Sequence, residues 1–233
     1  MTSGPGSPRG RKDVRLAERL KTAKGRSLSS QRWLGRQLND PYVAAAKRKG
    51  YRSRAAFKLI EIDDKFRLLK PGARVVDLGA APGGWTQVAV ARVEAGEGGG
   101  KVVALDIEAM DPLPGAIVLR ADFLDPMASA KAKAALDGPV DVVLTDMAAS
   151  ATGHRETDHL RVMALAEAAL AFACETLRAG GAFVAKLRQG AGEAAFVEEA
   201  RQRFANVRRY KPASSRAESA EFYLVATGFR VNA

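Results

Sequence analysis

The chain has 233 residues, 47% of them apolar, a single cysteine and a formal net charge of +11. One domain with a full core is expected, no apolar run is long enough to span a membrane, and Met1–Gly10 lacks the apolar stretch of a secretory signal. Cys174 has no internal disulfide partner, so a cytoplasmic chain is expected.

The charge is unevenly placed. Residues 1–70 carry 19 Lys and Arg against 6 Asp and Glu, whereas residues 71–233 carry 18 against 20. All the excess positive charge therefore precedes the sheet-forming part of the chain. Such a block reads as a footprint for a phosphate backbone, favoured over a solubilising tail or a membrane-binding surface. Residues 1–28 are basic and rich in Gly and Ser, with too little apolar surface to offset chain entropy, and are expected to be disordered. From Ser29 to Lys49 a helix is predicted, broken near Asn39-Asp40-Pro41. Ser53 is the predicted N-cap of a second helix reaching about Arg67, with Ala56, Leu59, Ile60 and Phe66 on its buried side. Lys70-Pro71-Gly72 then punctuates the start of the sheet. The expected organisation is a tail, 1–28, and one domain, 29–233, made of a basic RNA-binding lead-in (29–70) and a sheet core (71–233).

After Gly72, short apolar runs alternate with helical patterns. Strands are predicted at Arg74–Leu78, Lys101–Asp106, Ala116–Arg120, Val140–Thr145, Gly181–Lys186, Asn206–Tyr210 and Phe222–Thr227. Helices are predicted near Trp85–Ala95, Ala128–Leu136, His159–Arg178 and Glu193–Phe204. In the third, Met163, Ala166, Leu170, Ala173, Cys174 and Leu177 share one face. This is an α/β pattern: a Rossmann-like, mostly parallel sheet with right-handed crossovers and helices on both faces. The last two strands leave no room for a helix between them, so they pair antiparallel, the final strand inserted or at an edge.

Five predicted strands lead into a charged residue: Asp77, Asp106, Asp122, Asp146 and Lys186. In an open α/β sheet, the carboxyl ends of the strands form the binding crevice. Asp77-Leu78-Gly79-Ala80-Ala81-Pro82-Gly83-Gly84-Trp85 supplies a glycine turn at the first of these ends, where backbone can approach a ligand closely. Asp106 is placed for ribose hydroxyls and Asp122 for an adenine edge. Asp77 is placed for a ligand ammonium or loop amides. For Asp77 and Asp122, turn or cap stabilisation is the alternative. An antiparallel final strand brings its first residue, Glu221, to the rim of Asp146 and Lys186, and Lys58 of the preceding helix can join them. A lysine serves as a base only when neutral, a form that desolvation and a second ammonium both favour. Lys186 is the predicted base and Lys58 its cationic neighbour. Asp146 positions the Lys186 amine, and Glu221 orients a lysine or the attacking hydroxyl. A solvated surface charge is the alternative for each lysine taken alone, strong for Lys58 and disfavoured for Lys186, which closes an apolar strand.

His154 and His159 have no partners at zinc spacing and read as loop or helix-start residues, so no metal is expected. Cys174 reads as a small core residue. Trp33, Tyr42 and Tyr51 either stack on bases or anchor the basic segment.

With these residues set out, the chain resembles the FtsJ/RrmJ family of ribosomal RNA 2′-O-methyltransferases from about Ser29 to Thr227. The resemblance is carried by Tyr51–Leu59, Val75–Trp85, Thr145–Ala148, Val184–Leu187 and Lys211-Pro212-Ala213-Ser214-Ser215-Arg216 through Tyr223. It implies a class I methyltransferase sheet and a Lys-Asp-Lys-Glu tetrad on Lys58, Asp146, Lys186 and Glu221. It implies contacts to S-adenosylmethionine from Gly83, Trp85, Asp106, Asp122 and Asp146, beside Asp77, Gly79 and Gly84 of the same turn, with S-adenosylhomocysteine as product. The implied substrate is a uridine 2′-hydroxyl in the A-loop of 23S rRNA within the large ribosomal subunit, and the enzyme is expected to work as a monomer. Ala149 stands where the family often has proline. The competing expectations are 2′-O-methylation of tRNA or an mRNA cap, and a non-catalytic RNA binder in ribosome assembly.

Overall fold

The computed structural model describes residues 31, 34, 35, 37–148 and 153–231. The basic tail 1–28, the start of the predicted first helix, Trp33 and Ala149 lie outside the described residues. The chain divides between Ala44 and Ala45, and the sheet with every site residue belongs to the second unit. The elements run α1 (Pro41–Lys49), α2 (Ala55–Phe66), β1 (Arg74–Leu78), α3 (Gly84–Val93), β2 (Lys101–Asp106), β3 (Ala116–Arg120), α4 (Pro126–Leu136), β4 (Val140–Thr145), α5 (Arg155–Thr176), β5 (Leu177–Arg188), α6 (Glu193–Arg203), β6 (Phe204–Tyr210) and β7 (Glu221–Phe229). Among the described residues, no helix is long and apolar enough to cross a membrane.

The seven strands form one sheet in the order β3-β2-β1-β4-β5-β7-β6. Strands β1 to β5 pair in parallel, and β7 lies antiparallel between β5 and β6. Strand order reverses between β1 and β4, the switch point at which an open α/β sheet opens its crevice.

Side-chain alternation divides the core into two layers. Val76, Leu78, Val103, Leu105, Val143 and Phe183 pack against α4, α5 and α6. Val75, Val102, Val142, Leu144, Val184, Tyr223 and Val225 pack against Ala56, Leu59 and Ile62 of α2 and Trp85, Val88, Ala89 and Val93 of α3. The same alternation carries Asp77, Asp146, Lys186 and Glu221 toward the α2 and α3 face.

Four predicted strands have the observed bounds, and the remaining elements differ for local reasons. Strand β5 begins at Leu177, because Leu177 pairs with Val140 and Ala182 with Val142, so two steps along β4 match five along β5. It also runs past Lys186 to Arg188, which pairs with Glu221 at the start of β7. Helix α4 starts two residues before Ala128, with Pro126 in its first turn and the Asp125 side chain accepting from the Met127 amide. Helix α1 starts at Pro41, where Asp40 Oδ1 accepts from the Tyr42 amide at 3.0 Å. Ser53 is not the cap of α2. That position is Arg54, in helical conformation and without a side-chain cap, while Ser53 Oγ lies buried beside Gly84. The far end of α2 is fixed by buried Asp63, which accepts from the amides of Leu68 at 2.9 Å and Leu69 at 2.8 Å.

Candidate active site

The glycine turn after β1 is shaped by what presses on it. Gly79 has φ +76°, and a Cβ there would stand 2.6 Å from Met147 Cγ and 2.8 Å from Met147 Cα. Only glycine lets the segment after β4 lie this close to the end of β1. Gly83 has φ +106°, with Arg52 Nη1 and Met110 Sδ each 2.9 Å from its would-be Cβ. Between them, the Ala81 amide donates to Asp106 Oδ2 at 2.8 Å. Asp106 Oδ1 accepts from the Glu108 amide, also at 2.8 Å. The turn and the end of β2 are thereby tied into one wall.

That wall borders a cavity of about 390 Å³ at the switch point, lined among others by Gly79, Asp106, Glu108, Asp122, Asp146 and Met147. The size suits a small-molecule ligand, for which pockets run roughly 300–1,000 Å³. Asp122 has two roles here: it lines the cavity, and its Oδ1 accepts from the Leu124 amide at 3.0 Å. A second cavity of about 410 Å³ lies at the opposite end of the strands, among Phe66, Pro71, Asp141, Arg178, Gly180 and Thr227, away from these carboxylates.

Sharing Asp146 with the cavity lining, four side chains form a connected chain. Lys186 Nζ stands 3.2 Å from Asp146 Oδ1 and donates to the Asp146 backbone carbonyl at 2.6 Å. The Tyr223 hydroxyl donates to the same Asp146 Oδ1 at 2.8 Å, and Lys58 Nζ donates to the Tyr223 oxygen at 3.0 Å. Burial works to raise the Asp146 pKa. The ammonium groups of Lys186 and Lys58, with the hydrogen bonds from Tyr223 and Lys186, outweigh it and hold the carboxyl below its ordinary value. Burial, with the charges of Asp146 and Glu221 and the bond to Asp146, raises the Tyr223 phenol well above its ordinary range, so the hydroxyl keeps its proton and donates.

Three of the four predicted tetrad residues are therefore joined, two directly and Lys58 through Tyr223. Glu221 sits on the same face of β7 two residues before Tyr223, opposite Arg188. It forms no ion pair among the described residues, and its charge acts on Tyr223. Tyr223 itself was not predicted as a site residue. Its period-two spacing from Glu221 was the available signal, but an aromatic residue inside an apolar strand reads first as core packing.

The glycine-turn residues separate into wall and support. Gly79 lines the cavity, while Gly83, Gly84 and Trp85 lie at the start of α3 behind it. The Trp85 indole is turned inward, donating to the Ala55 carbonyl at 2.9 Å and packing on the Tyr223 ring at 5.4 Å. Asp77 lies beneath the cavity, fully buried, with Oδ2 accepting from Thr86 Oγ1 at 2.7 Å and Oδ1 without a partner. Parity points Asp77 at α3, where the Thr86 hydroxyl engages one of its carboxylate oxygens. Burial raises its pKa to about 7, opposed by the Thr86 bond and reinforced by Asp146 and Asp106. Tyr51 packs edge-on against Phe57 at 5.6 Å, the anchoring alternative of the two predicted for it. His159, which reads as ordinary in sequence, has Nε2 2.5 Å from the Ala191 carbonyl in the loop after β5.

The chain matches the family described as FtsJ-like methyltransferase over residues 51–229. The ribosomal RNA large subunit methyltransferase E of Azorhizobium caulinodans is 56% identical over 233 residues, spanning 100% of this chain and 96% of that one. The protein of the same name from Paramagnetospirillum magneticum is 59% identical over 231 residues, spanning 98% and 94%. Among solved structures, a ribosomal RNA methyltransferase from Plasmodium falciparum is 28% identical and superposes with a TM-score of 0.67, covering 77% of this chain and 98% of that one.

Proposed function

The chain belongs to the FtsJ-like methyltransferase family, and from that premise we propose that it methylates the 2′-hydroxyl of a uridine ribose in the A-loop of 23S rRNA, within the large ribosomal subunit. The observation that carries this reading is the Lys58–Tyr223–Asp146–Lys186 chain, whose Asp146 lines the switch-point cavity. The names of the relatives, ribosomal RNA large subunit methyltransferase E, support the substrate class. On the same reading the chain acts in the cytoplasm as a monomer.

The cavity fits S-adenosylmethionine in size and in donor set. Asp106 would take the ribose hydroxyls and Asp122 the adenine edge, and the backbone of Gly79 lines the same cavity. Bound there, S-adenosylmethionine supplies the methyl group on an activated sulfonium and leaves as S-adenosylhomocysteine.

The protein's own work is to hold the hydroxyl and take its proton. Lys186 Nζ in its neutral form receives the proton as the oxygen forms its new bond to carbon. Asp146 fixes that nitrogen from two sides, through a carboxylate oxygen and a backbone carbonyl. Tyr223 and Lys58 hold the carboxylate in turn. Glu221 orients the hydroxyl or a lysine from the neighbouring rim position. Holding donor and acceptor in line lowers the barrier independently of base strength.

The test is incubation with labelled S-adenosylmethionine and, in parallel, large ribosomal subunits or tRNA from a strain lacking the enzyme, followed by mapping of the modified ribose. Label on an A-loop uridine 2′-oxygen is the expected result. Label confined to tRNA would move the substrate, and RNA binding without label would leave a non-catalytic binder.

A further inference from the structure

The sequence offers Arg52 as one more charge in a basic, RNA-facing segment, but its side chain is engaged elsewhere. Its guanidinium donates to the carbonyl of Asp111 through Nη1 at 2.8 Å and to that of Pro112 through Nη2 at 2.7 Å. Nη1 also lies 3.4 Å from the Pro82 carbonyl, inside the glycine turn. Its backbone amide donates to Gln87 Oε1 at 2.7 Å, and Gln87 Nε2 donates to the Gly50 carbonyl at 3.0 Å, so the Arg52 main chain is fixed to α3. Arg52 Nη1 and Met110 Sδ converge on the face of Gly83 that carries no Cβ. The guanidinium thus joins the glycine turn to the segment after β2, while the Arg52 main chain holds to α3. That last segment begins with Ile107 and Glu108, both of which line the switch-point cavity.

We propose that Arg52 is a positioning residue of the methyl-donor site: it clamps the segment after β2 onto the glycine turn and so holds the ribose-side wall of the cavity. This rests on the donor-site reading above. Geometry separates the role from phosphate binding. A planar fork that donates to two successive carbonyls is specific to arginine, and lysine, a single point donor, does not reproduce it. A phosphate contact, by contrast, depends chiefly on charge. Arg54, two residues on, also turns inward, donating to the Ser214 carbonyl.

The test compares full-length wild type, Arg52→Lys and Arg52→Ala by calorimetric titration with S-adenosylhomocysteine, by steady-state kinetics, and by binding to large ribosomal subunits as salt is varied. Both variants are expected to bind S-adenosylhomocysteine about tenfold more weakly and to raise the KM for donor by a similar factor. The kcat at saturating donor stays within about threefold, because no contact with the Lys186 chain is lost. Arg52→Lys keeps the wild-type salt slope for subunit binding. If Arg52→Ala does not fold, Arg52→Lys carries the comparison alone. Wild-type donor affinity in Arg52→Lys overturns the inference. So does a reduced salt slope in Arg52→Ala at unchanged donor affinity, which would make Arg52 a phosphate contact. Absence of binding by the wild-type chain overturns the donor-site reading together with the inference.

Discussion

The hydroxyl of Tyr223 donates to Asp146 Oδ1 at 2.8 Å across the pair β4 and β7, which are not neighbours in the sheet. The bond is made possible by β5 between them, whose Lys186 pairs in register with Tyr223. Because Lys58 reaches the same phenolic oxygen, one tyrosine links α2 to the carboxylate that Lys186 of β5 reaches directly. Tyr223→Phe keeps the ring that packs on Trp85 and removes only the oxygen. The expected outcome is a kcat lowered by about tenfold, donor affinity unchanged and stability within about 1–2 kcal/mol of wild type. Kinetics at saturating donor with a parallel urea melt check it; an unchanged kcat would make Tyr223 a packing residue.

Asp77 predicts a pH signature. Its carboxyl titrates near 7 in the fold, against an ordinary value of 3.8. Between about pH 4 and 7 the unfolded chain has released a proton that the folded chain keeps, so raising pH through that window destabilises the fold. Below the window both states are protonated, and above it the cost is complete. Asp77→Asn removes this cost while keeping an acceptor for Thr86. Its stability relative to wild type should therefore climb by up to about 4 kcal/mol from pH 4 to pH 8. Urea unfolding at pH 4.5, 6 and 8 measures it, and parallel curves for the two proteins would refute the assignment.

Gly79→Ala sets a Cβ 2.6 Å from Met147 Cγ and 2.8 Å from its Cα, at φ +76°. Strain of about 1–3 kcal/mol follows, and it falls where β1 and the segment after β4 form the cavity. The variant should lose stability in that range and bind S-adenosylhomocysteine at least about tenfold more weakly. Thermal melts and calorimetry check both, and wild-type donor binding would show that the turn does not shape the site.

Residues 1–28 carry eight Lys and Arg against two acidic residues. Deleting them should weaken RNA binding chiefly at low salt and flatten the dependence of log K on log salt, as lost phosphate contacts do. An identical salt slope would leave the tail without a part in RNA binding.

Much of this was legible before the structure. Strands β1, β2 and β4 show as short apolar runs leading into Asp77, Asp106 and Asp146, because both faces of a central parallel strand are buried, and β3 shows the same run before Asp122 although it lies at the sheet edge. The antiparallel pairing of β6 and β7 follows from the missing helix between them, and the structure selects insertion over the edge for β7. What stayed hidden depends on contacts distant in sequence. The start of β5 rests on a slip around Gly180 and Gly181 that only pairing with Val140 reveals. Asp77 reads in sequence as placed for a ligand ammonium or loop amides, and parity turns it toward Thr86 of α3. Tyr223 in Glu221-Phe222-Tyr223-Leu224 reads as core, and it is fully buried; only its hydroxyl belongs to the site.

The central claim is that Lys186, held by Asp146, takes the proton of the attacking hydroxyl. Single-turnover methyl transfer by Lys186→Ala, with S-adenosylhomocysteine affinity measured on the same preparation, tests it most directly. The account predicts methyl transfer at background level with donor affinity within about threefold of wild type. Near-normal transfer by that variant would contradict it.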